Sequence, residues 1–519
     1  MRLFTSLQSH LQASPTALRA VRWLLIALVA FAPGIVSYVM VSARANPANF
    51  VPVWNDEVSY WHQTLTFIHA GFEGGYYTSF HEGTPPAEFT HFYTHGPWYP
   101  MLYGTLARVT GWGLGSALFT NVLLVALALA ALCIAARFTI RQLIVTGLLV
   151  ASFWPLMFYL FTNMQEALQQ SLGILLALSF YAALTQREHL KLGYKVAIFV
   201  LIFFAAVTRL SWGIFFLPFF LLVGRKSWLG YLLALPAAGV ATVTAMLIAN
   251  AVGAPGNNSI FAVLDGFSIS ISAGFEGLWR YLSENITRYF AADKYPLDAW
   301  LTVQIIVLVV ALLGIAAVQA WRDRAALVET AFHSFNIIGI VLACWLLYII
   351  ATMGDYRIIG AHLLVTALVM VSMKRERLVA LLIISNLLFV PEFVRLYNAA
   401  IIDRKFQVST QPINDFRALV EPHLVFDPAA PSPWCNSVLF YVRDYNNLFT
   451  AVPAGFGLSF YADPVDPKLP YHSRYVLLND DFYGRLEQRA ERPDLEFLVA
   501  TPNGNLYMNR SSACEQPTS

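Results

Sequence analysis

"VAIFVLIFFAAVTRLSWGIFFLPFFLLV", residues 196–223, decides how the chain threads a membrane. A helical crossing takes about 20 apolar residues. This run is too long for one ordinary crossing and is interrupted by Thr208-Arg209, so it reads as two short helices meeting at Arg209. Working outward, apolar segments near 21–40, 115–136, 142–160, 167–185, 228–250, 299–320, 331–352, 357–373 and 378–397 supply the other spans. With the broken pair counted as two, the expectation is about eleven membrane segments.

Charge placement tests that count. Lys and Arg in short loops collect on the cytoplasmic side. With the N-terminus inside, the inner set is Arg2, Arg19, Arg22; Arg137, Arg141; Arg187, Lys191, Lys195; Arg225, Lys226; Arg322, Arg324; and Lys374, Arg375, Arg377. Every predicted inner loop is then basic. Reading 196–223 as one span would put all later basic loops outside, so the charges support the break independently of its hydropathy. Composition agrees: the 519 residues are 57% hydrophobic and only 12% charged, against about 25% charged in soluble proteins. A net charge of +2 gives no reason to expect a nucleic-acid partner. The apolar run Val21–Met40 precedes a faint cleavage-like Ala43-Arg44-Ala45, but its length favours a retained first span over a signal peptide.

Three segments do not cross: outer loops 42–114 and 251–298, and a polar tail. The second loop carries an amphipathic stretch around "FEGLWRYLSENITRYF". The predicted organisation is a membrane domain over 1–399 and a soluble α/β domain over 400–519. In that tail "SVLFYV" and "RYVLL" look like strands, and "EFLVATPNGNLYMNR" like a hairpin turning at Asn503-Gly504. Cys435 and Cys514 lie on the oxidising side as either a disulfide or two thiols; Cys133 and Cys344 lie within apolar runs. The sequons at Asn257, Asn285 and Asn509 all fall outside.

The same topology brings polar residues from separate places to one membrane face: Asp56 and Glu57, His95, Glu166, Arg209, and Asp355 with Arg357. Arg209 weighs most, because a guanidinium in an apolar stretch is costly unless it pairs or reaches water. Asp56 and Glu57 open a helix over "NDEVSYWHQTLTFIHAGF". At about 100° per residue, Val58, Trp61, Leu65, Ile68 and Phe72 make one stripe. Glu57 lies at its border, and Asp56 lies opposite, beside Tyr60 and Gln63. Both acids also suit the positive end of a helix whatever else they do, and the same holds for Glu166 in "FTNMQEALQQSL". Asp355 and Arg357 in "MGDYRIIGAHLL" read equally as a local anchor or as site residues. His95 in "FYTHGPWYP" has helical spacing from His91, but Gly96-Pro97 argues against a helix and against a metal pair there.

These motifs, in their order and on their shared side, resemble the GT-C superfamily of membrane glycosyltransferases. That superfamily includes protein O-mannosyltransferases and lipid A aminoarabinose transferases. The resemblance rests on "WNDEVSYW", "THGPWYPMLYGTLARVTGW", "FTNMQEALQQSLGILLALSFYAAL", "AAVTRLSWGIFFLPFFLL" and "DYRIIGAHLL", covering roughly residues 20–400. Two departures are a missing Pro-Pro pair near Gly96-Pro97 and a missing proline after Arg357.

The implied fold is an all-α polytopic membrane protein of GT-C type, with a large first periplasmic loop carrying amphipathic helices and a small C-terminal soluble α/β domain. The implied activity moves a sugar from a polyprenyl-phosphate donor to a hydroxyl acceptor on a glycan, lipid or protein. By resemblance Asp56 is the general base, and Glu57 orients its helix or touches the acceptor. Arg209 and Arg357, with His95, Glu166 and Asp355 beside them, would bind substrate. Some members use a divalent metal and others none; no cluster in this sequence forces one. Short loops and a lean tail favour a bacterial inner membrane over a eukaryotic endoplasmic-reticulum membrane, with the site and C-terminus on the periplasmic or luminal side. Rival readings are an oligosaccharide ligase of the same fold, a lipid-binding scaffold, and a transporter with broken helices.

Overall fold

The computed structural model describes residues 15–72, 77–78, 89–90, 96–186, 189–224, 227–253, 266–289, short helical pieces between 306 and 322, 327–347, 353–406, 409–441, 448–460, 471–488, 493–512 and 514. Among these described residues, six helices are long and apolar enough to cross a membrane: Thr16–Ser42, Ser116–Ala135, Glu166–Thr185, Trp228–Val252, Leu327–Cys344 and Glu376–Phe406. Three shorter apolar helices, Leu192–Thr208, Leu210–Val223 and Arg357–Ser372, complete the described membrane set together with one bent pair. The span expected over 299–320 lies largely outside the described residues.

The bent pair departs from the straight span expected over 142–160. Ile140–Ser152 and Trp154–Leu160 meet at 59°. Phe153 between them leaves the helical region (φ −80, ψ 86), and Pro155 sits in the first turn of the second helix. Proline is accommodated there because its missing N–H would have no partner in any case. The break at Arg209 follows the sequence reading. Leu192–Thr208 ends, Arg209 is extended (φ −156, ψ 113), and a 3₁₀ turn from Leu210 to Phe215 leads into helix Phe216–Val223. Gln169 spans the break, donating to Thr208 Oγ1 (3.3 Å) and accepting from the Trp212 indole (2.6 Å). The phenylalanines after the break turn inward: Phe216 and Phe219 are buried against Phe199.

The segment expected as the first outer loop contributes helix Asn55–Ala70, strands β1 (Tyr77–Thr78) and β2 (Phe89–Thr90), and helix Trp98–Thr110. The loop's first helix is not the one-sided amphipath its sequence implies. Val58 through Thr64 are all buried, whereas Leu65 and Ile68 are half-buried and Phe72 is exposed. The reason is that it is packed from two directions. Phe67 presses on Gly104 of the Trp98–Thr110 helix, where an added Cβ would sit 2.6 Å from the ring. On the other side Val51, Val58 and Phe67 share one apolar core with Ile413, Phe416, Phe440 and Leu458 of the tail. Each such side chain contributes about 1.5–3 kcal/mol on burial.

In the tail, strands β3 (Ser437–Tyr441), β4 (Gly457–Phe460), β5 (Tyr475–Leu478), β6 (Leu495–Thr501) and β7 (Gly504–Asn509) join β1 and β2 in one sheet of order β2-β1-β4-β3-β5-β7-β6. β3 runs parallel to β4 and β5, and β7 antiparallel to β5 and β6. The hairpin turns at Pro502-Asn503, one residue before the predicted position, since Thr501 pairs with Gly504. Helices Gln411–Val420 and Asp480–Glu487 complete the α/β unit, and Cys435 and Cys514 form a disulfide. Asn509 is buried and donates to the Tyr471 and Ser473 carbonyls, so its sequon is not a surface site. Residue 400, the expected domain boundary, lies within a π-helical extension of the last membrane helix, Asn398–Phe406.

Candidate active site

Threading sets the site. Helix Glu166–Thr185 begins where Leu192–Thr208 ends, and helix Met353–Ser372 begins at that same end. Glu166, Arg209 and Arg357 therefore share one set of helix ends, while Lys191, Lys374 and Arg375 occupy the other.

Glu166 is wholly buried and its Oε1 accepts from both arginines: Arg209 Nη2 at 2.6 Å and Arg357 Nε at 2.7 Å. Arg209 Nη1 also donates to the Arg357 carbonyl at 3.2 Å. Both terminal nitrogens of Arg357 then reach Asp56 Oδ2, each at 3.4 Å. The contrast in length carries meaning. Charge-assisted bonds of 2.6–2.7 Å fix the arginines to Glu166, whereas contacts at 3.4 Å hold Asp56 loosely. Exposure runs the same way: the Glu166 side chain is 0% accessible, Arg209 9%, Arg357 23% and Asp56 29%. Two cations and two carboxylates balance, with the carboxylate at the open side the least constrained.

Tyr60, one turn beyond Asp56, is buried beside this cluster. Burial first, and then the Asp56 and Glu166 charges, hold its hydroxyl well above the ordinary tyrosine value, so it stays protonated. Its ring packs 4.9 Å from Tyr99, which stacks on Tyr103 at 3.9 Å.

Glu57 is turned away from its neighbour. It is fully buried, and its Oε2 accepts from the Val53 and Trp54 backbone N–H groups at 3.2 Å each, capping the first turn of the helix. Oε1 accepts from the Asn163 backbone N–H at 2.9 Å, and the Asn163 amide returns a bond to the Glu57 carbonyl at 2.9 Å. Lys405 forms an ion pair with Glu57 Oε2 and lies 4.1 Å from the centre of the Trp54 ring. The loop carrying Asn163 is itself pinned. Asn121 donates to the Leu160 and Thr162 carbonyls, and Tyr99 donates to Asn163 Oδ1.

The structure thus brings Asp56, Glu166, Arg209 and Arg357 together and places Glu57 just behind them, facing the interior. Asp355 belongs to helix Met353–Ser372, but its side chain lies outside the described residues, as does all of His95. Sequence reasoning missed Asn163 and Lys405. Asn163 stood in the "FTNMQE" stretch without a reason to single it out, and Lys405 was one basic residue among several in a polar tail. Among the described residues no three His, Cys, Asp or Glu gather as a metal-binding group. No ready donor set for a divalent ion is therefore seen there.

No family model and no curated protein matches the chain. Among solved structures the chain is similar to two crystal structures of ArnT from Cupriavidus metallidurans. The apo state is 13% identical, with TM-score 0.42, covering 94% of this chain and 98% of that one. The structure bound to undecaprenyl phosphate is 14% identical, with TM-score 0.44, covering 95% of this chain and 98% of that one.

Proposed function

We propose that this protein is a membrane glycosyltransferase that moves a sugar from a polyprenyl-phosphate donor to a hydroxyl acceptor at the outer face of a bacterial inner membrane. The observation that carries the reading is one partly exposed carboxylate, Asp56, against Arg357, which the buried Glu166 holds together with Arg209. The sequence motifs that resemble GT-C enzymes fall on these same residues.

The chemistry follows from charge. An acceptor hydroxyl is a poor nucleophile, and Asp56 removes its proton as the new C–O bond forms at the anomeric carbon. The bond between that carbon and the phosphate oxygen breaks, and its electron pair leaves on the lipid phosphate. One negative charge moves from Asp56 to the phosphate. Arg209 and Arg357 stabilise it there, because their guanidiniums carry more N–H donors than Glu166, Asp56 and one carbonyl accept. Asp56 gives up its long contact to Arg357 as the phosphate takes it. Phosphate leaves as an anion, so no strong general acid is required. A single displacement inverts the anomeric centre, in contrast to retaining hydrolases, whose two carboxylates flank the bond about 5 Å apart.

The test is turnover by the reconstituted protein with a panel of polyprenyl-phosphate sugars and hydroxyl acceptors, with Asp56→Asn as control. Transfer that inverts the anomeric centre and is lost in a folded Asp56→Asn variant is expected. Full turnover by that variant would remove Asp56 as base. Silence with every donor, together with substrate flux across vesicles, would favour a transporter.

A further inference from the structure

We infer that Lys405 is a positioning residue for the transfer reaction, acting through Glu57 to set Asp56 against the arginine pair. The inference rests on the glycosyltransferase reading and adds a dependence of that site on the segment entering the C-terminal unit.

Glu57 is bonded to two pieces of the site at once. Through Oε2 it caps the helix on which Asp56 is the adjacent residue, and through Oε1 it holds Asn163, three residues before Glu166. The placement of the base against the arginine holder therefore passes through this carboxylate as well as through the longer contacts of Arg357. That carboxylate is completely buried, and a buried anion persists only when neutralised and fully bonded. Lys405 is the cation that neutralises it. The ammonium is itself 0% exposed, enclosed by Trp54 and Phe50, with ring centres 4.1 and 5.4 Å away. It arrives from the π-helical segment Asn398–Phe406, which connects the last membrane helix to the soluble unit. Without Lys405, Glu57 either takes up a proton or draws in water, and its anionic acceptance from Val53, Trp54 and Asn163 weakens. Asp56 then shifts relative to Glu166, whereas Arg209 and Arg357 move with Glu166 as one body. A misplacement of about 1 Å at a reacting group costs about 100-fold in rate.

The experiment uses the full-length protein in lipid nanodiscs, read by steady-state kinetics and by hydrogen–deuterium exchange. Lys405→Met should lower kcat by about 10- to 100-fold with donor KM changed by less than about threefold, and should raise exchange in 53–57 and 161–166. The double variant Glu57→Gln/Lys405→Met removes both charges, so it leaves no buried ion uncompensated. It should recover about tenfold of the kcat loss and restore protection in 53–57, where the amide oxygen still accepts from Val53 and Trp54. It also serves as the test should Lys405→Met fail to fold, since the proposal then requires the double variant to fold and turn over. A folded Lys405→Met with wild-type kcat would overturn the proposal. So would a kcat loss without added exchange in those segments, or a folded double variant as inactive as Asp56→Asn. Exchange is read without turnover, so the two failures separate. A wild type silent with every donor removes the glycosyltransferase reading, whereas unchanged exchange in Lys405→Met removes the coupling.

Discussion

The helix Met353–Ser372 and the turn that follows it carry an arginine–carboxylate cluster at each end, and the two ends are built differently. At one end Arg375 meets Glu329 fork to fork, Nε to Oε1 at 3.3 Å and Nη2 to Oε2 at 3.2 Å. Each nitrogen faces its own oxygen. At the other end two guanidiniums share a single oxygen of Glu166, and a second carboxylate, Asp56, is only loosely engaged. The first arrangement satisfies its charges; the second leaves guanidinium donors and the carboxylate proposed as base available for something that arrives. Identical residue types thus distinguish an anchor from a reactive site by stoichiometry and by distance.

The most severe way to break this comparison is Asp56→Asn, which keeps the shape but removes the proton acceptor. Turnover should fall by about 10²- to 10⁴-fold, with melting temperature close to wild type, checked by radiolabelled sugar transfer and thermal unfolding. Next is Arg357→Lys. A lysine lacks the planar fork that reaches Glu166 and Asp56 together, so donor KM should rise by about tenfold, an estimate from the loss of one bidentate charged contact. The same exchange at the opposite end, Arg375→Lys, should leave donor KM within about twofold and cost at most about 1 kcal/mol of stability, since its guanidinium is partly exposed. Equal KM effects at the two ends would erase the distinction drawn between them.

A smaller effect concerns the joint between the loop helix and the α/β unit. His62 Nε2 donates to the Phe456 carbonyl at 2.8 Å, and the neighbouring Gly455, held at φ +94, donates its N–H to Thr66. Burial lowers the His62 imidazole to about 4 despite the opposing bond to Phe456, while an unfolded histidine titrates near 6.5. The neutral form is the one that fits. Its contribution is complete above about pH 6.5 and is lost as pH falls toward 4. Limited proteolysis of the tail should therefore accelerate across that window, and His62→Asn should flatten the dependence.

Much of the site was legible because membrane charges obey two separate constraints. Basic loops reveal which helix ends face which side, and an arginine inside an apolar run must have a partner; together they nominated Arg209, Glu166 and Arg357. The broken helix was legible for the same reason. Helical geometry also separated Asp56 from Glu57, though the stripe it relied on was not the buried face. That inference failed because it assumed one neighbour, whereas the helix Asn55–Ala70 has two, the membrane domain and the tail. Lys405 carried no local signal at all. Its significance comes from meeting Glu57 across the fold, and a single sequence does not encode which distant residues meet. The bend at Phe153 was likewise hidden in a run whose hydropathy is continuous.

The sheet that mixes β1 and β2 with strands of the tail, and the bond between His62 and Phe456, 394 residues apart, have a consequence for synthesis. At about 5–20 residues per second, the first outer loop waits roughly 20–80 s for the partners that complete it. Until then Glu57 has no counter-ion and the loop helix no second wall. Under the proposed mechanism, a chain still on the ribosome therefore holds its arginines in place but lacks an aligned base until Lys405 and strand β4 have reached the first loop.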